Sequence, residues 1–146
     1  MEIRKMTIGD YEKVYALWLS CKGMGLNDLD DSREGIEKYL NRNPDTCFVA
    51  CEGEQILGAV LAGNDGRRGI FSHTAVSPDH RYEGIGKALV IAAVNAFREL
   101  GIHKVNLAVF SRNEAGNAFW EKMGFTKRDD LTYRNYLIDP LQRIDT

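Results

Sequence analysis

The sequence predicts an α/β fold, with a central mixed, mostly antiparallel sheet of six to seven strands and about four helices. Three observations predict it. Residues 46–76 hold three strand-like runs separated by tight turn signals, which is the pattern of an antiparallel meander. The run Ile70–Val76 passes through a glycine-bearing loop into a long apolar helix, and another strand follows, which makes a parallel crossover. The 146 residues, 44% hydrophobic and 27% charged, suit one domain (1–146) around one substantial core.

The elements follow in chain order. Ile3–Met6 is a short strand. Thr7 with Asp10 three positions on resembles a capping box, so a helix starts there and runs to about Cys21. Tyr11, Val14, Tyr15, Trp18 and Cys21 fall at helical spacing and mark its core face. Gly23–Asp31 has glycines, three aspartates and no period, so it is a loop. Two readings of Asp28, Asp30 and Asp31 stay open: a solvated loop complementing a helix dipole, or an acidic rim that attracts a cationic amine. Ser32 caps a short helix carrying Ile36, Tyr39 and Leu40, which ends before Asn43-Pro44.

Thr46–Glu52 and Gln55–Asn64 are strands joined at Glu52-Gly53-Glu54, and Asp65-Gly66 turns the chain into Ile70–Val76. The next helix spans about Gly84 to Leu100. It is apolar on more than one stripe, so burial on most sides is expected, and Gly101 stops it. Lys104–Phe110 is a strand expected to lie parallel to Ile70–Val76. Asn113–Met123 is a helix ended by Gly124; Phe125–Lys127 and Leu131–Ile138 look like a last strand pair, and the final six residues look frayed.

Charge and cysteine usage exclude several function classes. The net charge is −2 and the Lys and Arg residues are scattered, so neither nucleic acid nor an anionic membrane surface is expected as a partner. No apolar run is long enough for a bilayer, and Met-Glu-Ile-Arg-Lys lacks the apolar core of a signal peptide, so a cytoplasmic location is expected. Cys21, Cys47 and Cys51 are odd in number and contain no C-x-x-C pair, against both a disulfide framework and a bound metal. Cys47 and Cys51 alternate with Val49 and read as small buried hydrophobes.

The chemistry concentrates at Val76-Ser-Pro-Asp-His-Arg-Tyr-Glu-Gly-Ile-Gly-Lys87. Strand, glycine loop and helix in that order can turn several backbone N–H groups toward one anion at a helix N-terminus. A P-loop would need Ser or Thr after Gly86-Lys87, where Ala88 stands, and a glycine at position 81, where Arg81 stands. A dinucleotide fingerprint would need glycine at position 89, which is Leu89. Two glycines in a first helical turn cost up to ~1 kcal/mol each against alanine. That cost makes sense where a ligand approaches the backbone closely.

Arg81-x-x-Gly84-x-Gly86 resembles the acyl-CoA pyrophosphate loop of the GNAT superfamily of N-acetyltransferases. A second segment, Asn113-Glu-Ala-Gly-Asn-Ala-Phe-Trp-Glu-Lys-Met-Gly-Phe125, is similar to that family's Asn, aromatic and Gly-Phe pattern. The order of elements agrees as well, so the resemblance covers essentially the whole chain. It looks closest to small, single-domain bacterial members without an assigned substrate.

The resemblance implies a GNAT fold and direct transfer of an acetyl group from acetyl-CoA to a primary amine of a small molecule or peptide in a ternary complex. It implies that the main chain of Tyr82, Glu83, Gly84, Ile85, Gly86 and Lys87 binds the pyrophosphate, with Arg81 and Lys87 supplying charge. Ala75 and Val76 would meet the pantetheine arm, Asn113 would hydrogen-bond it, and Phe119 would pack against coenzyme A. Glu83 departs from a position that is often basic. Trp120 stands where many members have a proton-donating Tyr; an indole N–H is no acid in this range. Tyr133 and Tyr136 are the substitute donors considered. The base position is Ser72, beside His73, whose ordinary pKa suits the task. Simple alternation points His73 away from Ser72 and Val76, and a bulge would reverse that. Asn27, Asp28 and Asp30 are assigned to acceptor recognition. A rival reading is a catalytically weak acyl-CoA sensor or interaction module on the same fold. The apolar helix and the aromatic last strand are compatible with a homodimer.

Overall fold

The computed structural model describes residues 1–144. Its central sheet holds β1 (Glu2–Lys5), β3 (Phe48–Glu52), β4 (Gln55–Asn64), β5 (Gly69–Val76) and β6 (Val105–Leu107), in the order β1-β3-β4-β5-β6. The first four pair antiparallel, and β6 joins β5 parallel after α3 (Ile85–Glu99), as the crossover pattern predicts. The remaining helices are α1 (Tyr11–Ser20), α2 (Arg33–Arg42) and α4 (Glu114–Lys122). Two further strands, β2 (Leu26–Asn27) and β7 (Arg143–Ile144), form a separate antiparallel pair.

The two faces of the sheet carry two cores. On one, Val14 and Trp18 of α1, Leu26 of β2 and Ile36 of α2 are buried against Val49, Leu61 and Ala75. On the other, α3 and α4 bury Leu89, Val90, Phe97 and Trp120 against Val60 and Phe71. The predicted caps form locally. The Ser32 hydroxyl accepts from Gly35 N–H, and the Asp10 carboxylate accepts from Thr7 N–H while gripping Arg4 through two 2.8 Å bonds. Cys47, Val49 and Cys51 do share one core; burial pushes the Cys47 thiol up to about 12, which makes it an inert hydrophobe.

Three expectations change. α3 is buried along one main stripe, while Ile91 and Leu100 are about half exposed. Neither Phe125–Lys127 nor Leu131–Ile138 forms a strand: every residue from Thr126 to Pro140 is exposed, and without ladder partners no strand can form. The chain's end is not frayed as far as it is described, because Arg143–Ile144 pair with β2; residues 145–146 of that expectation lie outside the described residues. No helix among the described residues is long and apolar enough to cross a membrane.

Candidate active site

Strand β5 pairs with β6 only over Gly69–Phe71, opposite Val105–Leu107, yet β5 continues to Val76. Beyond that point the two chains diverge. The opening is a cleft of about 1340 Å³ walled by Ser72–Val76 on one side and Leu107–Ser111 on the other. Its lining carries Lys22, Arg81, Lys87 and Lys122, a cationic set at which anionic groups are favoured.

At one end lies the loop from Arg81 to Lys87. Gly84 has φ +83°, a left-handed conformation open to glycine, and it leads into the first turn of α3. Tyr82 is also left-handed at φ +64°, with its side chain in solvent, so the loop holds local strain. The first helical bond of α3 runs from Ala88 N–H to Gly84 C=O, which leaves the N–H groups of Ile85, Gly86 and Lys87 for another acceptor. Arg81 braces the loop, donating from Nε to Val76 C=O at 2.9 Å. Glu83 does not line the cleft; its carboxylate lies 3.4 Å from His80 Nδ1.

Helix α4 forms the other wall of that end. Asn113 caps α4 by accepting from Gly116 N–H at 2.9 Å, and it lines the cleft. Phe119 packs on Gly86: a Cβ there would stand 3.1 Å from the ring. Glycine thus suits the close approach of two helices, where a side chain would press on the ring. Trp120, 8% exposed, sits in an aromatic cluster with Phe71, Phe119 and Phe125 at centroid distances of 5.5, 5.1 and 4.8 Å.

At the opposite end the bulge decides the geometry. Leu61 pairs with His73 and Ala62 with Phe71, so Ser72 is the extra residue. His73 keeps to the α1 side, its ring edge-to-face on Trp18 at 5.0 Å, opposite Val76 as simple alternation expects. Ser72 is the residue the bulge moves. It joins the side of His73, with its hydroxyl 3.2 Å from Tyr39 Oη. Burial pushes the Tyr39 phenol up to about 12.

Segment 22–31, which contains β2, runs along the cleft: Gly23 and Gly25 lie by Asn113 and Phe110, and Asp31 at its far end reaches His73. Asn27 lines the cleft, but its side chain is engaged within the loop: Oδ1 accepts from Leu29 and Asp30 N–H, and Nδ2 donates to Asp30. Asp28 holds the chain's end, accepting from Gln142 N–H at 2.7 Å. Neither Asp28 nor Asp30 lines the cleft. Asp31 reaches His73 instead: its Oδ1 lies 2.8 Å from Nε2, with side chains 5% and 11% exposed. Tyr133 reaches the cleft from the exposed C-terminal segment and is 76% exposed, while Tyr136 does not line it.

Residues 11–125 match the acetyltransferase (GNAT) family. The chain belongs to the GNAT family. This acetyltransferase is 34% identical to an acetyltransferase of Sodalis glossinidius over 131 residues, covering 90% of this chain and 91% of that one. It is likewise 34% identical to an acetyltransferase of Pectobacterium atrosepticum over 139 residues, 95% and 97% of the two chains. Two solved structures share the fold. Ard1 from Thermoplasma volcanium aligns with TM-score 0.76 at 23% identity, covering 86% of this chain and 82% of that one. A GNAT-family acetyltransferase from Streptococcus pneumoniae aligns with TM-score 0.73 at 24% identity, covering 93% and 96%.

Several lining residues of the GNAT cleft carry no signal in the sequence. Thr74 Oγ1 is buried on its wall with no hydrogen-bond partner among the described residues. Cys21 ends the core stripe of α1 but also lies against the loop, 3.7 Å from an Arg81 nitrogen. The Thr74 hydroxyl and the amides at the start of α3, without partners among the described residues, and the cationic lining together fit an anionic ligand that also offers hydrogen-bonding groups.

Proposed function

We propose that this GNAT chain transfers the acetyl group of acetyl-CoA to a primary amine of a small molecule or peptide, by direct transfer in a ternary complex. The observation that carries the reading is the parting of β5 from β6 after three residue pairs, with the glycine loop at one end of the opening and His73 at the other. The whole chain, 1–146, acts as one cytoplasmic domain on this reading.

Acetyl-CoA supplies an acyl thioester when bound. The amides of Tyr82 to Lys87 hold its pyrophosphate, helped by the positive end of α3 and by Arg81 and Lys87. The edge of β5 at Ala75 and Val76, with Asn113 and Phe119, orients the arm. Trp120 walls the cleft but supplies no proton. The acceptor arrives as an ammonium ion, since a free alkylamine has a pKa near 10. His73 takes the proton on this reading, or Ser72 holds a water that does; Tyr133 returns one to the leaving thiolate. Asn27, Asp28 and Asp30 shape the acceptor end by holding loop 22–31 in place.

Thiol release from acetyl-CoA, measured over amino acids, peptides, polyamines and aminoglycosides, tests the proposal, alongside melting with coenzyme A, NAD and ATP. Coenzyme A should raise the melting temperature and at least one amine should turn over. Stabilisation by coenzyme A without turnover on any amine would favour the acyl-CoA sensor.

A further inference from the structure

We infer that Asp31 is a positioning residue that fixes the imidazole of His73 with its proton on Nε2 and its lone pair on Nδ1, ready to take the acceptor's proton. The inference rests on the reading of His73 as base and names the residue through which that base is held.

The hydrogen bonds around Asp31 point to one arrangement of the neutral ring. Both Asp31 oxygens are engaged: Oδ1 faces His73 Nε2 at 2.8 Å and Oδ2 accepts from Asn27 N–H at 2.8 Å. An ionised carboxylate only accepts, so Nε2 must carry the proton that joins them. In the neutral imidazole Nδ1 is then the unprotonated nitrogen, and it is buried with no partner among the described residues. The ring packs edge-to-face on the fully buried Trp18. Asp31 itself is fixed at a third point, where its C=O accepts from Tyr11 Oη at 2.7 Å. A base held by a hydrogen bond from its far nitrogen to a carboxylate is the arrangement that sets a catalytic histidine's tautomer.

The proton balance closes. An N–H bond of the acceptor ammonium breaks and an Nδ1–H bond forms, and the amine's freed electron pair is left to attack the thioester carbonyl. The imidazolium that results lies against the Asp31 carboxylate, which offsets its charge. His73 lines the cleft, and Nδ1 itself is covered in this structure.

Asp31→Asn separates this role from a structural one. Asn Oδ1 can still accept from Asn27 N–H, which turns the amide NH2 toward Nε2 and drives the imidazole proton to Nδ1. Long-range proton–nitrogen spectra of histidine-labelled protein read the tautomer directly, and only His73, His80 and His103 need assigning. The wild-type protein should show Nε2–H at His73 and the variant Nδ1–H. With the fastest acceptor of the panel, Asp31→Asn and His73→Gln should each lower kcat by about 100-fold, the scale of general-base catalysis. The double variant should be no worse than either, and KM for acetyl-CoA should not change. Wild-type His73 protonated on Nδ1 overturns the inference even if the variant fails to fold. Full kcat in Asp31→Asn beside a crippled His73→Gln overturns it and leaves His73 as base. Full kcat in His73→Gln removes the base reading itself, and the inference with it.

Discussion

The two ends of the cleft are built from different materials. The loop end is made of main chain: left-handed Tyr82 and Gly84, three amides at the start of α3 with no partner among the described residues, and a glycine on which Phe119 packs. Its chemistry depends on backbone conformation, and side-chain identity matters at few positions. The His73 end is made of side chains drawn from distant parts of the chain: Asp31 from a loop, Trp18 from α1, Tyr39 from α2, and Ser72 and His73 from a bulge in β5. A main-chain site tolerates drift around it but not a change of backbone. A side-chain site survives backbone adjustment but fails when one partner is lost. Substitutions at the two ends should therefore fail in different ways.

At the loop end the largest effect is expected at Gly86. A valine there drives its methyl groups into the Phe119 ring, already 3.1 Å from a bare Cβ. Overpacking of this kind costs ~1–3 kcal/mol, and here it also displaces the amides at the head of α3. Calorimetry should show coenzyme A binding weakened by ~10-fold or more. Adding Phe119→Ala should recover part of the melting temperature by restoring room. Wild-type binding in Gly86→Val would mean that the loop does not meet the ligand through its backbone.

A smaller, two-signed effect separates conformation from contact in the same loop. Gly84→Ala places a side chain at φ +83° and should destabilise the fold by ~1 kcal/mol. Tyr82→Asn should do the opposite. Asparagine tolerates the left-handed region better than tyrosine, and the exposed ring gives up no packing, so denaturant midpoints should rise by the equivalent of ~0.5–1 kcal/mol. Neither variant should alter the acceptor's KM. A KM change would show that the ends are coupled.

This difference in material also explains what the sequence revealed. Glycines, turn residues and hydrophobic period are local signals, and they placed the meander, the crossover, the loop and α4 close to where the structure has them. Gly84 and Gly86 were visible because each is an unusual residue for a helix start. Asp31 was visible only as one of three aspartates in a loop. Its contact with His73 spans 42 positions, and no local pattern encodes it. Asp28 and Asp30 looked equivalent to Asp31, yet they serve the chain's end and Asn27. The bulge at Ser72 was equally hidden, because it arises from register against β4. The apolar alternation after Phe125 misled for a related reason: strand propensity is local, but a ladder partner is not.

The smallest expected effect probes the support behind Ser72. Tyr39 Oη lies 3.2 Å from the Ser72 hydroxyl, and burial pushes the phenol up to about 12. It therefore stays protonated through neutral pH, and Tyr39→Phe should cost only ~0.5–1 kcal/mol there, since Ser72 is exposed and can turn to water. The difference should change sign in alkali. Between the ordinary tyrosine pKa near 10 and about 12, the unfolded chain gives up the phenol proton and the folded chain keeps it, so native stability falls as pH rises. Phenylalanine has no such loss. Urea titrations of both proteins at several pH values should show their stabilities converging above pH ~10 and Tyr39→Phe gaining relative to wild type. A constant gap up to pH ~12 would mean that the phenol is solvated, and that the bulge holds Ser72 without help from α2.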